Sequence, residues 1–187
     1  MDARKLLDAL HIAERLKDAT RHCYTSGGRH ESVAEHSWRM TLMAFFVRDE
    51  FPQADMDKVM RMCLIHDLGE ALTGDVPSFY KTEQNEMSEA EAWEQIFGML
   101  PQPYASEFRA LYQEMEERKT PEAKLYKALD NMEAVVSHNE ADISTWIPLE
   151  YEENLVYGQK NCEWSDWTRE LREELRKDSE KKIEDGK

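Results

Sequence analysis

The sequence predicts a single all-α domain, a bundle of about six to eight helices. Three observations carry that expectation. Only seven glycines and six prolines punctuate 187 residues, and no stretch alternates apolar and polar side chains for long. Apolar residues instead recur at helical spacing through most of the chain. Length and a 41% apolar content suffice for one proper core and require no second one.

Each element follows in order. Leu6, Leu7, Leu10, Ala13 and Leu16 stripe a first helix, and Gly27-Gly28 then breaks the chain. A second helix is expected from about Val33 through Val47, ending before Phe51-Pro52. Asp55 is placed to cap a third, from about Met56 to Leu72, which stops at Thr73-Gly74-Asp75-Val76-Pro77. Further helices are expected at about 84–99, 104–118 and 121–141, the last with Thr120 as N-cap and Pro121 at its first position. A short helix fits 149–158, and a closing one starts at about Trp164. Sixteen charged residues crowd 163–187, with Glu173–Lys177 and Asp178–Lys182 at i,i+4 spacing. That segment reads as a solvated helix that frays at its end. With no repeat, low-complexity tract or linker, residues 1–187 are expected to form one domain. Its core would cover about 15–145, and the charged C-terminal helix about 163–185.

Charge narrows the function. A net charge of −15 disfavours a nucleic-acid duplex or an anionic membrane as partner. A small anionic substrate stays open, because residues 1–30 carry six Lys/Arg against four Asp/Glu and are locally basic. Cys23, Cys63 and Cys162 are too far apart for a disulfide framework or a CxxC metal site, so reduced thiols are expected. Cys63, three residues before His66, reads as a small buried core residue. The N-terminus lacks an apolar core of signal-peptide length, and no apolar run approaches a membrane span. A cytoplasmic protein is the expectation.

The chemistry lies in His36, His66-Asp67 and Asp130. Each sits in an otherwise apolar, helix-periodic setting, where an imidazole or a carboxylate needs a partner. Together they make the imidazole and carboxylate set of a divalent-ion site. Adjacent helical residues point about a hundred degrees apart, so His66 and Asp67 can share an ion beyond the helix surface. Glu70 lies four residues past His66 and three past Asp67, so it is expected to project from the same helical face. A staple needs no such extra acid, whereas a metal-activated water does. Phosphate esters suit this machinery, since the cation offsets charge on the phosphoryl oxygens.

The order H…HD…D resembles the HD-domain superfamily of metal-dependent phosphohydrolases. Three strings, ESVAEHS, IHDLGEALTGDVP and KALDNMEAV, resemble its YfbR-like 5′-deoxynucleotidase branch. The likeness runs from about residue 15 to 145 and implies an HD-domain helical bundle around a metal site. It implies His36, His66, Asp67 and Asp130 as metal ligands, with Glu70 and Asp67 catalytic and Glu70 acting on water. It further implies Arg21 as a phosphate contact, which suits a guanidinium fork, and Asp75 as the carboxylate that reads the sugar. An Asx turn or helix-end cap is the ordinary role for Asp75, and a solvated charge the ordinary one for Arg21.

The sequence departs from the branch at His22, where a Trp is usual. Tyr24 then becomes the alternative stacking platform, and a protonated His22 would aid phosphate binding or protonate the leaving oxygen. Dinuclear members use further histidines between the HD pair and the last Asp. No histidine lies between His66 and His138, so one divalent ion (Mn, Co, Fe, Ni or Zn) is expected. The GYP signature of the cyclic-dinucleotide branch is also missing. His11, His30 and His138 read as ordinary surface or packing residues. Trp38, Trp93, Trp146, Trp164 and Trp167 read as core or subunit interface. Members of this branch commonly form homodimers. The expected activity is release of phosphate from (deoxy)ribonucleoside 5′-monophosphates. The alternatives are a nucleotide or alarmone pyrophosphohydrolase, and a non-catalytic helical protein with a structural metal.

Overall fold

A computed structural model describes residues 2–186. The first helix, α1 (Ala3–Glu14), is capped by Asp2, whose carboxylate accepts from the Lys5 backbone N–H at 2.9 Å. Most of its leucine stripe does not face the core: Leu6, Leu7 and Leu10 are exposed, whereas Leu16, just past the helix, is buried with Val33 and Ala71. A short antiparallel hairpin follows, β1 (Thr20–Tyr24) and β2 (His30–Ser32), with Gly28 at φ +81 in the turn. Strands of five and three residues are too short to show alternation, so only the Gly27-Gly28 break marked them. Thr20 pairs with Ser32 and Tyr24 with His30, so the two strands are out of step between these pairs. Such an irregularity disrupts side-chain alternation, and neighbours Arg21 and His22 both line the same cavity.

From Ser32 the chain turns directly into α2 (Val33–Phe46) through a capping box with Glu35. Val33, His36, Ser37, Met40 and Ala44 form its buried face, so helical spacing alone carries His36 into the interior. Helix α3 (Met56–Ile65), capped by Asp55, buries Val59, Met62, Cys63 and Ile65. The expected continuous helix to Leu72 is not formed. The chain leaves the α-helix after Ile65 and turns through 66–69, held by Leu68 N–H to Ile65 O at 2.9 Å and Glu70 N–H to Asp67 O at 2.9 Å. It restarts as the one-turn α4 (Glu70–Thr73), which ends at Gly74 with φ +75. His66 and Asp67 thus stand on a turn, not on a helix side.

Two outer helices, α5 (Glu83–Met99) and α6 (Tyr104–Glu117), lead to the central α7 (Pro121–Glu140). Thr120 caps α7 and Pro121 occupies its first turn, as expected. α7 packs against α2, α3 and α6. It buries Leu125, Ala128, Leu129, Met132 and Val135 in the main core. Two short helices follow, α8 (Glu150–Val156) and α9 (Gln159–Cys162), the latter not foreseen. Gly158, between them, has φ +72, and a Cβ there would lie 2.4 Å from that of Asn131. Only glycine fits that approach.

The last helix, α10 (Asp166–Asp185), corrects the expectation of a fraying, solvated end. Thr168, Arg172, Leu175 and Ser179 make a buried stripe along it. Arg172 donates to the carbonyls of Tyr157 at 2.8 Å and Asn154 at 2.9 Å, and Ser179 donates to Asn139 Oδ1 at 2.8 Å. The charges pair with other partners than expected: Lys177 reaches Glu174 at 2.6 Å and Arg176 reaches Glu173 at 2.6 Å, and the i,i+4 pair that forms is Arg176 with Glu180. Shared with α7 and α8, this helix is part of the bundle.

Candidate metal centre and phosphate cavity

Three elements deliver the four residues singled out by spacing to one point. His36 comes from α2, His66 and Asp67 from the turn after α3, and Asp130 from α7. His36 Nε2 lies 3.2 Å from His66 Nε2, 3.2 Å from Asp130 Oδ1 and 3.8 Å from Asp67 Oδ2. His66 Nε2 lies 3.0 Å from Asp67 Oδ2 and 3.6 Å from Asp130 Oδ1.

The ring protons can be assigned from the outer partners. His66 Nδ1 faces the Cys63 carbonyl at 2.9 Å, and His36 Nδ1 faces the Glu133 carboxylate. Both partners only accept, so each Nδ1 carries the hydrogen and each neutral ring turns a bare Nε2 inward. Two nitrogen and two carboxylate lone pairs then converge with no hydrogen between them. A cation is what such a set lacks. Donors around an ion with bonds of about 2.1 Å lie roughly 3 Å apart, which the observed spacings fit. The electrostatics of the cluster point the same way. Burial opposes charge on His66, yet Asp67 and Asp130 push it up to about 10, so the site draws in positive charge.

Around this point lies a layer that spacing did not reveal. Glu133, three residues past Asp130 on α7, has no solvent exposure. It accepts from His36, from Arg21 Nη1 at 3.1 Å and from Arg39 Nε at 2.6 Å. Burial works against its ionisation, but His36, Arg21 and Arg39 hold its carboxyl well below the usual range. Arg21 also donates to Glu31 Oε2 at 2.8 Å, so it is a fixed, ion-paired guanidinium and not a solvated charge. Lys127, one turn before Asp130, donates to Asp130 Oδ2 at 2.6 Å. The only advance sign of Glu133 was an acid on the same α7 face as Asp130.

A cavity of about 290 Å³ opens onto these groups, at the small end for ligand sites. Arg21, Lys81 and Lys127 line it as cations, and Asp67, Glu70, Asp75, Asp130, Glu150 and Glu153 as acids. Burial, with the charges of Asp67 and Asp75, pushes Glu70 up to about 10, and its Oε2 is buried without a hydrogen-bond partner. Burial also raises Asp75.

Two expectations change at the far wall. His138 is not an ordinary packing residue, because it faces the cavity with His22 and Glu150. Tyr24 does not replace a stacking Trp: it packs on His30 with centroids 4.1 Å apart. Phe79 is the aromatic of this wall, edge-on to His22 at 5.3 Å. His30 stays at the surface with Nδ1 3.0 Å from the Arg21 carbonyl, and His11 is exposed.

Fold and site together define the class. An HD domain family model matches residues 13–172, and the chain belongs to that family. Its relatives include human 5′-deoxynucleotidase HDDC2, 33% identical over 142 residues that cover 74% of this chain and 69% of the relative. The 5′-deoxynucleotidase hdd1 of Schizosaccharomyces pombe is 28% identical over 183 residues, 86% of this chain and 91% of the relative. Among solved structures, a predicted metal-dependent phosphohydrolase from Magnetospirillum magnetotacticum superposes with a TM-score of 0.81. It is 28% identical, over 98% of this chain and 93% of that one.

Proposed function

We propose that this HD-family hydrolase removes phosphate from deoxyribonucleoside 5′-monophosphates, with one divalent ion held by His36, His66, Asp67 and Asp130. The observation that carries the reading is the convergence of four bare donors at the cavity whose other groups include Arg21 and Lys127. A divalent ion held there would supply Lewis acidity for the phosphoryl group, acidify water and offset the Asp67 charge that, together with burial, raises Glu70. Arg21, fixed by Glu31 and Glu133, presents its guanidinium to the phosphate oxygens. Lys127 adds positive charge beside them. Glu70 takes the proton of the attacking water. Asp75 lines the same cavity and serves as an acceptor for a sugar hydroxyl. The names of the curated relatives support the substrate class.

A pyrophosphohydrolase would need more positive charge than three cations among several acids provide. Three buried free thiols suit a reducing compartment, and we place the protein in the cytoplasm; among the described residues, no helix is long and apolar enough to cross a membrane. We also read it as a homodimer through the apolar face of α1, α2 and α3, where Leu10, Trp38, Phe45 and Leu64 flank a groove of about 700 Å³.

The test is phosphate and pyrophosphate release from metal-stripped protein. It is given deoxy- and ribonucleoside mono-, di- and triphosphates, with Mn²⁺, Co²⁺, Zn²⁺ or Mg²⁺ added singly. Metal-dependent phosphate from deoxyribonucleoside monophosphates is expected. Release of pyrophosphate, or silence across the panel, overturns the substrate reading.

A further inference from the structure

The wall formed by His22, Glu150 and His138 shares no residue with the four converging donors, and its contacts are unlike packing. Glu150 is a buried carboxylate on α8 that accepts from Ile147 N–H at 2.8 Å and from His22 Nε2. His138 Nε2 lies 3.5 Å from the same Glu150 oxygen. His22 is a partly exposed ring on β1, directly after Arg21. With Nε2–H donated to Glu150, Nδ1 is the free edge of the ring, and it has no hydrogen-bond partner among the described residues. An imidazole held by a buried carboxylate on one nitrogen and open on the other is built to pass a proton.

Resting on the phosphomonoesterase reading above, we propose that His22, held by Glu150, is the catalytic acid that protonates the leaving oxygen of the phosphate ester. The other basic groups of the cavity are unsuited to this task. Burial opposes charge on Lys81 and Lys127, yet pairing with Glu89 and Asp130 makes both hold their protons tightly. Arg21 is likewise fixed in its charged form by Glu133 and Glu31 despite burial. Burial drives His138 down to about 4, so it is neutral and serves as a wall for His22. Glu150 is kept anionic against its burial by its hydrogen bond from His22 and by His138. The remaining neighbours of His22 are Phe79 and, by charge, Asp75.

The proton count closes. Water bonds to phosphorus and gives a proton to Glu70. The bond from phosphorus to the ester oxygen breaks, its electron pair stays on that oxygen, and the oxygen takes the Nδ1 proton of the His22 imidazolium. The ring is left neutral with Nε2–H still on Glu150, and it regains a proton from solvent.

The test is a leaving-group comparison on the full-length, metal-loaded protein. His22→Gln is compared with wild type on a deoxyribonucleoside 5′-monophosphate, a simple alkyl phosphate and p-nitrophenyl phosphate. Alkoxide leaving groups need the proton and nitrophenolate does not. We expect kcat to fall on the order of a hundredfold or more for the first two, and less than about threefold for the aryl ester. Glu150→Gln should show the same split in weaker form, and it keeps the proposal testable if His22→Gln misfolds. An equal loss on all three substrates, or no loss on any, overturns it. If wild type cleaves the alkyl and aryl phosphates but no nucleotide, the substrate reading fails while the alkyl-to-aryl ratio still decides the role of His22.

Discussion

At the scale of single residues, the site depends on what stands behind the ligands. His36, His66, Asp67, Asp130 and Glu70 were legible because polar residues in apolar helical stretches demand partners. Glu133, His138 and Glu150 were not, because their roles arise only when α7, α8 and β1 meet. Glu133 is the sharpest case. One carboxylate fixes the His36 tautomer and anchors Arg21, so it would link the proposed ion to the proposed phosphate contact. Replacing it as Glu133→Gln should weaken Mn²⁺ or Co²⁺ binding by roughly 10- to 100-fold and raise KM through a loosened Arg21. Calorimetry on stripped protein measures the first effect and steady-state kinetics the second. Unchanged metal affinity would show that Glu133 merely fills space.

At the scale of elements, local signals placed most helices well. The caps at Ser32, Asp55 and Thr120, and Pro121 after the last, set their starts. What failed was governed by tertiary structure. The break after Ile65 has no proline; it is a turn through His66–Gly69 that presents His66 and Asp67 to α2 and α7. The hairpin was too short for a period to show. The α10 stripe was hidden among charges because three of its four buried positions are Thr168, Arg172 and Ser179, polar groups bonded inside the bundle. The stripe of α1 was read correctly as apolar but faces outward. With Trp38 at 64% exposure on α2 and Leu64 at 59% on α3, it forms one apolar face. Placing a charge there, as Trp38→Glu, should convert a dimer of the 22.0 kDa chain to monomer in light scattering. A wild-type protein that already runs as a monomer would refute the dimer.

At the scale of the whole molecule, an acidic chain of net charge −15 surrounds a cavity with three cations. On the proposed function, field and fold would divide the work: the acidic surface would repel polyanions while Arg21, Lys81 and Lys127 would offset the charge of one small phosphate. The bundle supplies rigidity, since α7 carries Asp130, Glu133 and His138 on one helix gripped by α2, α3 and α10. The central claim is that one ion, held by four converging donors, makes this chain a phosphatase. Titrating stripped protein with Mn²⁺ while following phosphate release from a deoxyribonucleoside 5′-monophosphate tests it most directly. Activity should rise from zero and break at one equivalent per chain. Full turnover without added metal, or a break at two equivalents, would contradict the account.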